Sequence, residues 1–453
     1  MPRSLTYDVV IVGAGPAGLT AAYHIAKAGF RVAVLEMRSD DEFGYKVCGD
    51  AMSVKYFDEV GIPHPRMGIE VVGLFKGVRV YAPNETMYVD VYGEGYALDR
   101  KALAWYLRRL CEEKGVEFYT SHRFHAPVVE GTWVKGVKAL GPGGDVKVFN
   151  TKIVIDASGT TSVVRRSLPR EWWVSEPIPL EDYNATYREI WEGDIDVEHD
   201  LAYIFLNADI ARGGYWWLFP KKRGVYNVGL GVQAGKGLNP LHQFERYIKP
   251  RFKDRISRIL DRGGGLVPTR RPIPCMVWNG LVVVGDAACM ANPIHGGGIG
   301  PAMLGGKIAA ETIVEALING RTDMESLWLY HIRYHRAYGA KQASLDILRM
   351  FLQTMSNEGL NFVFESKLVS GSEVGDIGSK GDIPSSVFSK LSSIARLIRK
   401  PKFLLKLYTV KKYMDKAREL YENYPQSPRD YEKWRETERK LFEEYRQWLS
   451  KEA

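Results

Sequence analysis

The stretch YDVVIVGAGPAGLTAAYHIAKAGFRVAVLE, residues 7–36, decides the fold. Its continuous apolar run over residues 9–12 is typical of a strand buried in a parallel sheet. A glycine-rich turn, a helix that ends near Gly29 and a second apolar strand over residues 31–35 follow. The order strand, turn, helix, strand predicts the start of a Rossmann-type parallel α/β sheet.

The turn predicts a dinucleotide site. Gly13, Gly15 and Gly18 have the GxGxxG spacing, which permits a tight turn, lets a pyrophosphate approach the backbone and lets helix and strand pack closely. The first helical turn, at Ala17, then offers free N–H groups and a positive helix end to the anion. Glu36 follows Gly15 by 21 residues, where a carboxylate accepts hydrogen bonds from an adenosine ribose.

Two later stretches extend this nucleotide site. KIVIDASGTTSVVRR, residues 152–166, predicts another buried strand that ends at Asp156. GLVVVGDAACMANPIHGGGIG, residues 280–300, predicts a strand over 281–284, then Gly285 and Asp286, then a glycine-rich helix entry. An acid at that strand end can hold the ribityl hydroxyls of a flavin, and the glycines at 296–298 let a helix start lie against a flat ring.

In this order the three motifs resemble the flavoprotein fold of para-hydroxybenzoate hydroxylase. The resemblance implies FAD, with flavin-nucleotide contacts from Arg100, Asp286, Gly298 and Ile299 and a backbone contact near Phe124 at the adenine. No second Rossmann unit follows: GPGG at 141–144 predicts a hairpin turn, and GGGL at 263–266 has no predicted strand before it. We therefore expect electrons to come from a transient donor, which is ferredoxin, a quinone or NAD(P)H.

Two further motifs are more specific. MRSDDEFGYKVCGDAMS, residues 37–53, resembles the geranylgeranyl reductase family, in which a Cys-Gly or Cys-Ala pair lies by the flavin. The equivalent positions here are Cys48, Gly49 and Ala51. GGYWWLFPKKRGVYNVGLG, residues 213–231, is similar to the YxWxFP…NVG signature of the same family through Tyr215, Trp217 and its neighbours. The resemblance covers roughly residues 5–370.

This resemblance implies a polyprenyl lipid substrate, namely geranylgeranyl chains on (di)geranylgeranylglycerol phospholipids or geranylgeranyl diphosphate. Reduced flavin would deliver hydride to an isolated double bond and a proton would complete the product. We expect Trp217 and Phe219 to face the alkene, because aromatic faces stabilise positive charge, with Tyr215 behind them or donating a hydrogen bond. Trp216 should point to the other side of the strand. Cys48 is the candidate proton donor.

Other readings of these residues stay open. Aromatic strand residues usually form ordinary core, and Cys48 could be a small buried thiol that only packs. A flavin monooxygenase or halogenase of the same fold is the nearest enzymatic alternative, although the Cys48 loop is foreign to halogenases. A prenyl-binding escort protein without flavin is a third reading, against which the intact Gly285-Asp286 motif argues.

The net charge of +8 comes from one segment. Residues 390–418 contain ten Lys or Arg and one acid, Asp415. Apolar residues alternate with the basic ones at near-helical spacing, which fits either a solvated helix face or contact with an anionic membrane surface. No nucleic-acid-binding module is recognisable. We expect a cytoplasmic protein, with a peripheral position at the inner membrane surface as the alternative.

Composition excludes several other classes. The four cysteines at 48, 111, 275 and 289 have no CxxC spacing, and the nine histidines form no HExxH motif, so we expect neither a disulfide framework nor a metal. The apolar N-terminal stretch is interrupted by charges and glycines, and no uninterrupted apolar window is long enough to span a bilayer.

The chain should divide into three parts. We expect a discontinuous FAD-binding domain (1–60, 95–170 and 275–330), a substrate domain built on an antiparallel sheet (61–94 and 171–274), and a helical C-terminal part (331–453). The fold class is thus mixed α/β and α+β. Beyond Glu358 we expect a short helix and then a Gly/Ser-rich loop. Ser427, followed by Pro428, should cap a last helix with an apolar side.

Overall fold

The computed structural model describes residues 4–387 and 401–452, and its strands form two sheets. The first sheet contains β1 (Ser4–Val12), β2 (Val32–Leu35), β6 (Glu117–Tyr119), β7 (Arg123–Glu130), β8 (Trp133–Leu140), β9 (Val146–Asp156), β15 (Val277–Trp278) and β16 (Leu281–Val283). Its order is β15-β16-β9-β1-β2-β6, and the β7-β8 hairpin attaches to β9. The second sheet contains β3 (Ala51–Ser53), β4 (Val71–Tyr81), β5 (Tyr88–Leu98), β10 (Asn184–Gly193), β11 (Leu201–Phe205), β12 (Trp216–Pro220), β13 (Val225–Gln233) and β14 (Ile256–Val267), in the order β14-β10-β13-β12-β11-β4-β5-β3.

The helices lie around and between these sheets. They are α1 (Pro16–Lys27), α2 (Lys55–Val60), α3 (Arg100–Glu112), α4 (Pro240–Gln243), α5 (Ile299–Ile318), α6 (Met324–Leu327), α7 (Leu329–Tyr334), α8 (Ala340–Leu352), α9 (Asn357–Glu365), α10 (Gly371–Lys380), α11 (Pro401–Glu422) and α12 (Tyr431–Glu452). In the described residues no helix is both long and apolar enough to cross a bilayer. The mixed α/β and α+β class is confirmed.

Parallel pairing brings the nucleotide motifs to one edge of the first sheet. In β1, Val12 lies opposite Leu35 of β2 and opposite Asp156 of β9. The glycine-rich turn, Glu36 and the end of β9 therefore meet at the carboxyl end of the strands, where open α/β sheets bind ligands.

The glycine spacing has the packing reasons that were predicted. Gly13 has φ +106°, and a Cβ there would lie 2.5 Å from the carbonyl oxygen of Ala157. A Cβ on Gly18 would lie 2.3 Å from the carbonyl oxygen of Gly13, so α1 could not approach the turn so closely. A Cβ on Gly15 would meet nothing within 4 Å, which leaves open space beside the turn.

Two local predictions were wrong. The Gly-rich 263–266 stretch lies inside β14, paired with β10, rather than outside any strand. The predicted loop after α9 contains α10, which starts with a capping box between Ser370 and Glu373. The hairpin turn at 141–144, between β8 and β9, and the Ser427 cap are as predicted. The three-part domain division stays a prediction.

Candidate active site

One cavity of about 1410 Å³ brings the predicted site residues together. Its lining includes Gly13, Gly15, Ala17, Glu36, Cys48, Gly49, Ala51, Arg100, Phe124, Tyr215, Trp217, Phe219, Asp286, Gly298 and Ile299. Gly18 is not part of the lining and acts instead in the packing of α1. Both sheets and several C-terminal helices contribute walls, so the cavity depends on distant parts of the chain.

The nucleotide end is built on backbone donors and carboxylates. Glu36 accepts hydrogen bonds from the N–H of Ala14 at 3.0 Å and of Arg38 at 2.9 Å, which fixes its carboxylate at the end of β2. No side chain caps the start of α1 in the described residues, so its first N–H groups remain available to an anion. This is the arrangement that a pyrophosphate and an adenosine ribose require.

The second acidic motif lines the same cavity. Asp286 follows β16, and Lys46 Nζ lies 3.5 Å from its carboxylate. A Cβ on Gly298 would lie 3.4 Å from Asp286 Oδ1, so the glycine-rich entry of α5 passes directly beside this acid. Asp286 and the start of α5 thus lie together, as the flavin-binding prediction requires.

Cys48 lies between two hydrogen-bond donors. The N–H of Asp50 donates to its Sγ at 3.3 Å, and Nη1 of Arg100 lies 3.9 Å from the same atom. The Nε atom of Arg100 is buried and has no partner among the described residues. The thiol is partly buried and faces the cavity. A thiolate formed here would keep both donors, one of them cationic.

A buried polar network ties the Cys48 loop to the aromatic strand β12. Asn227 donates through Nδ2 to the carbonyl of Cys48 at 2.8 Å and to Asp50 Oδ2 at 3.1 Å. Its Oδ1 accepts a hydrogen bond from Nε1 of Trp217 at 2.9 Å. Lys221 Nζ pairs with Asp50 Oδ2 at 2.7 Å. Because Asn227 uses both ends of its amide, the loop and the indole ring hold each other in register.

The aromatic residues divide between the two faces of β12 as predicted. Trp216 packs on the far side, stacked on Phe205 with ring centroids 3.6 Å apart. Trp217 and Phe219 face the cavity, with centroids 6.1 Å apart and planes within 29°. A Cβ on Gly49 would lie 3.1 Å from the Phe219 ring, so the Cys48 loop runs directly over this wall.

Tyr215 completes the wall and donates a hydrogen bond. Its hydroxyl lies 2.5 Å from the carbonyl oxygen of His295. Burial, with a smaller contribution from Cys48, raises the pKa of Tyr215 above its usual range, so the phenol keeps its proton. The His295 side chain is open to the cavity, and partial desolvation by the cavity walls, followed by the nearby Lys341, lowers its pKa, which favours the neutral imidazole at pH 7. No sequence pattern pointed to His295, because the pattern of its segment lies in the glycines that follow it.

An apolar floor extends away from the aromatic wall. Trp217 pairs with Ile204 of β11, Ile204 with Val80 of β4, and Val80 with Val89 of β5. This row crosses three strand spacings, about 14 Å. A second row runs parallel to it, from Phe219 past Ala202, Val78 and Val91. All of these residues line the cavity.

C-terminal helices form the opposite wall of this apolar end. Residues from α8 to α11 line it: Leu348, Phe351, Leu352, Leu360, Val363, Phe364, Val374, Ile377, Phe403 and Leu407. A Cβ on Gly375 would lie 3.3 Å from Val91, so α10 rests directly on β5. The sequence offered no motif here, because any apolar helix face predicts core as readily as a cavity wall.

The site contains the groups needed to bind a flavin nucleotide, shield an apolar chain and supply a proton. No group of three or more His, Cys, Asp or Glu side chains within residues 4–387 and 401–452 is arranged to hold a metal ion. Asp50, Lys221 and His295 are site residues that the sequence did not reveal. Asn227 was recognised only as the first residue of the NVG part of the signature, without its partners. The catalytic and binding roles of the predicted residues remain predictions.

Two family models match the chain. The geranylgeranyl reductase catalytic domain matches residues 182–267, and FAD dependent oxidoreductase matches residues 8–167. The first match covers the strands around the aromatic wall and the second covers the nucleotide end.

Similar proteins cover nearly the whole chain. The digeranylgeranylglycerophospholipid reductase of Sulfolobus acidocaldarius is 36% identical over 453 residues, which are 99% of this chain and 100% of the relative. Digeranylgeranylglycerophospholipid reductase 2 of Methanopyrus kandleri is 32% identical, over 83% of this chain and 96% of the relative.

Solved structures share the fold. A geranylgeranyl bacteriochlorophyll reductase-like protein from Thermoplasma acidophilum has a TM-score of 0.76 at 24% identity, over 89% of this chain and 100% of that chain. A flavin-dependent brominase has a TM-score of 0.62 at 18% identity, over 87% of this chain and 100% of that chain.

Proposed function

The chain belongs to the family of digeranylgeranylglycerophospholipid reductases, and we propose that it saturates geranylgeranyl chains. It is an FAD-dependent oxidoreductase that acts on the isolated double bonds of geranylgeranyl lipids, in the synthesis of archaeal-type membrane phospholipids. The single observation that carries this function is the apolar floor, which begins at Trp217 and Phe219 and continues to β5.

The residues present fit FAD. Gly15 leaves open space at the start of α1, and Glu36 is held at the end of β2 where a ribose would be bound. Asp286 and Gly298 lie side by side for the ribityl chain and the ring edge. The buried Nε of Arg100, which has no partner in the described residues, is a further donor for the cofactor. We propose that these residues hold FAD across the two sheets.

Held by Glu36, Asp286 and Arg100, reduced FAD would supply the hydride for one carbon of the double bond. Sγ of Cys48 gives the proton to the other carbon, so that one C–H bond forms at each end and the double bond is saturated. The thiolate left behind accepts hydrogen bonds from the N–H of Asp50 and from Arg100, and a proton from solvent restores the thiol. Trp217 and Phe219 stabilise positive charge on the alkene, by about 0.5–2 kcal/mol per ring, and exclude water.

The electron donor is transient in this proposal. The sequence contains no second Rossmann motif that would hold NAD(P)H tightly, and GGGL belongs to an antiparallel strand. We propose that ferredoxin, a quinone or freely diffusing NAD(P)H reduces the bound flavin between turnovers.

The test of the proposed function is anaerobic. The purified protein is reduced chemically and mixed with geranylgeranyl diphosphate or an unsaturated archaeal-type phospholipid, while flavin absorbance and product mass are followed. Reoxidation of the flavin together with the gain of two hydrogens per double bond would support the reductase. If the reduced flavin does not react with the lipid without oxygen, but the lipid is oxygenated after air is admitted, the result would contradict the reductase. Such a result would favour a monooxygenase.

We also propose that the basic C-terminal segment contacts a membrane surface. Part of it, residues 390–400, lies outside the described residues. In α11, Leu405 and Tyr408 are 69% and 66% exposed, and the exposed Lys402 and Lys412 lie on the same stripe. The opposite face of α11 carries Leu407, which lines the cavity. An outer face of apolar and basic residues fits an anionic bilayer, with up to about 1 kcal/mol from each charge.

Vesicle sedimentation tests this contact. The wild type should bind vesicles of anionic phospholipid and lose this binding as salt is raised. A double variant, Leu405→Ser with Tyr408→Ser, should bind more weakly at equal fold stability. Equal binding of wild type and variant would show that this face does not contact the membrane.

A further inference from the structure

Lys341 is an unpaired cation in the wall of the cavity. It lies at the start of α8, is partly buried and lines the cavity. Its Nζ donates to the backbone carbonyl of Ser379 at 3.0 Å and lies 4.5 Å from the ring centroid of Tyr338. No carboxylate lies within 4.0 Å of Nζ in the described part of the chain, and residues 388–400 contain no Asp or Glu.

The charges that face Lys341 leave it without a counter-ion. Lys55 of α2 lines the cavity as well and pairs with Glu59 at 3.3 Å. Arg418 of α11 and the neutral His295 complete the surroundings. Burial first, and then Lys55 and Arg418 against the weaker influence of Glu59, lower the pKa of Lys341 to about 8. A cation held in this way is stabilised by any anion that enters the cavity.

We propose that Lys341, assisted by Lys55, binds the phosphate of the substrate headgroup. This inference rests on the proposed function and names the part of the lipid that the apolar floor cannot recognise. A lysine ammonium binds phosphate as a point charge with several donors. With the headgroup at Lys341, the prenyl chain is directed into the apolar end of the same cavity. The shared chemistry is a phosphate ester or diphosphate, whether it belongs to a phospholipid or to a prenyl diphosphate.

Binding of inorganic pyrophosphate tests the site without turnover. The FAD-loaded, oxidised protein is titrated by calorimetry, so that the cofactor's own phosphate site is filled. Loss of a charge-assisted contact should weaken binding by about tenfold or more in Lys341→Met, and Lys341→Arg should retain most of it. Lys307→Met removes a nearby lysine that does not line the cavity and should bind as the wild type does. Absence of binding to the wild type, or equal binding by Lys341→Met, would overturn the proposal.

Turnover separates this inference from the proposed function. In Lys341→Met, KM for geranylgeranyl diphosphate should rise while turnover of the uncharged geranylgeraniol stays at the wild-type level. Above pH 8 the wild-type KM for the diphosphate should rise too, because the free lysine loses its proton there. If wild type and Lys341→Met have the same KM for the diphosphate and the same KM for the alcohol, the headgroup site is wrong. The proposed reductase function would not be affected by that result. If the protein binds pyrophosphate but reduces neither substrate, the proposed reductase function is wrong. The proposed anion site at Lys341 would still stand.

Discussion

At the scale of single residues, the proposed proton transfer depends on Cys48. Replacing it with alanine should lower the rate of alkene saturation by about 10²–10⁴-fold, the usual contribution of a general acid. FAD content and the rate of flavin reduction should not change, because the proposed role of Cys48 is only to donate a proton to the alkene. Rapid mixing of the reduced variant with geranylgeranyl diphosphate measures the step directly.

Cys111→Ser is the matched control for this experiment. Cys111 is buried on α3, donates to the carbonyl of Leu19 and does not line the cavity. The Cys111→Ser variant should reduce the lipid at the wild-type rate. If Cys48→Ala also retains the wild-type rate, the thiol only packs and the proton has another source.

Residues in motifs could be predicted from the sequence, and residues defined by three-dimensional contact could not. Gly15 and Glu36 are recognisable because their spacing reflects one strand, one turn and one helix. Asp50 and Asn227 meet through a loop and a strand that are 177 positions apart, and no local pattern records such a pairing. His295 was missed for the same reason, since its carbonyl meets Tyr215 across 80 positions.

At the scale of elements, the packing of α7 creates a sensitivity to acid. His331 is fully buried, and its Nε2 accepts a hydrogen bond from the N–H of Met276 at 2.7 Å, so protonation would remove this acceptor. Burial lowers the pKa of His331 to about 3, whereas the unfolded chain binds the proton below about pH 6.5. Between these values the unfolded state holds more protons, so stability falls as the pH falls, by about 1 kcal/mol per pH unit from this group.

His331→Gln isolates this effect, because the amide oxygen can still accept from Met276 and does not titrate. Urea unfolding at pH 7 and at pH 5 should show a smaller loss of stability in the variant than in the wild type. Part of the slope should remain, since burial also lowers the pKa of the neighbouring His335. Identical slopes in the two proteins would contradict the assignment to His331.

The last helix, α12, is attached through a buried ion network. Glu438 is fully buried and forms ion pairs with Arg271 and Arg435, while Arg271 also pairs with Asp346 at 3.0 Å. Burial alone would raise the pKa of Glu438, but Arg271 and Arg435 hold it below its usual range. Glu438→Gln should therefore lower the free energy of unfolding by about 3 kcal/mol, because two arginines lose a buried partner.

Chemical denaturation at pH 7 measures this loss. Glu436→Gln, an exposed position on the same helix, should unfold like the wild type. The difference between wild type and Glu438→Gln should shrink as the pH falls below about 4.3, where the carboxylate becomes protonated in the unfolded chain. Equal midpoints at pH 7 would mean that the network contributes no net stability.

Long periodic elements were predictable, while glycine-rich ones were not. Asp99 caps α3 and Ser427 precedes α12, as their sequence patterns indicated. In α10, Gly371, Gly375 and Gly378 suggested a loop, but the helix packs on β5, where a Cβ on Gly371 would lie 1.8 Å from the carbonyl oxygen of Asp90. Close packing, rather than flexibility, is the reason for that glycine.

At the scale of the whole molecule, one cavity joins parts that a domain division would separate. The first sheet supplies the nucleotide end, the second supplies the aromatic wall and floor, and α8 to α11 close the apolar end. The antiparallel floor and the helical wall are both apolar toward the cavity. Such a space fits the long prenyl chain of the proposed substrate, and in the proposed mechanism its double bonds pass the same aromatic wall in turn.

This geometry predicts that a blocked floor limits how many double bonds are reduced. Val80 lies two strands from Trp217 and lines the cavity, so Val80→Trp should fill the apolar end while leaving Cys48 and the wall in place. With geranylgeranyl diphosphate the variant should accumulate partly saturated products, because the chain cannot slide far enough to present every double bond. The shorter farnesyl diphosphate should be less affected, and Val80→Leu should behave as the wild type with both. Mass spectrometry of the products over time gives the distribution, and full saturation by Val80→Trp at the wild-type rate would mean that the chain takes a different path.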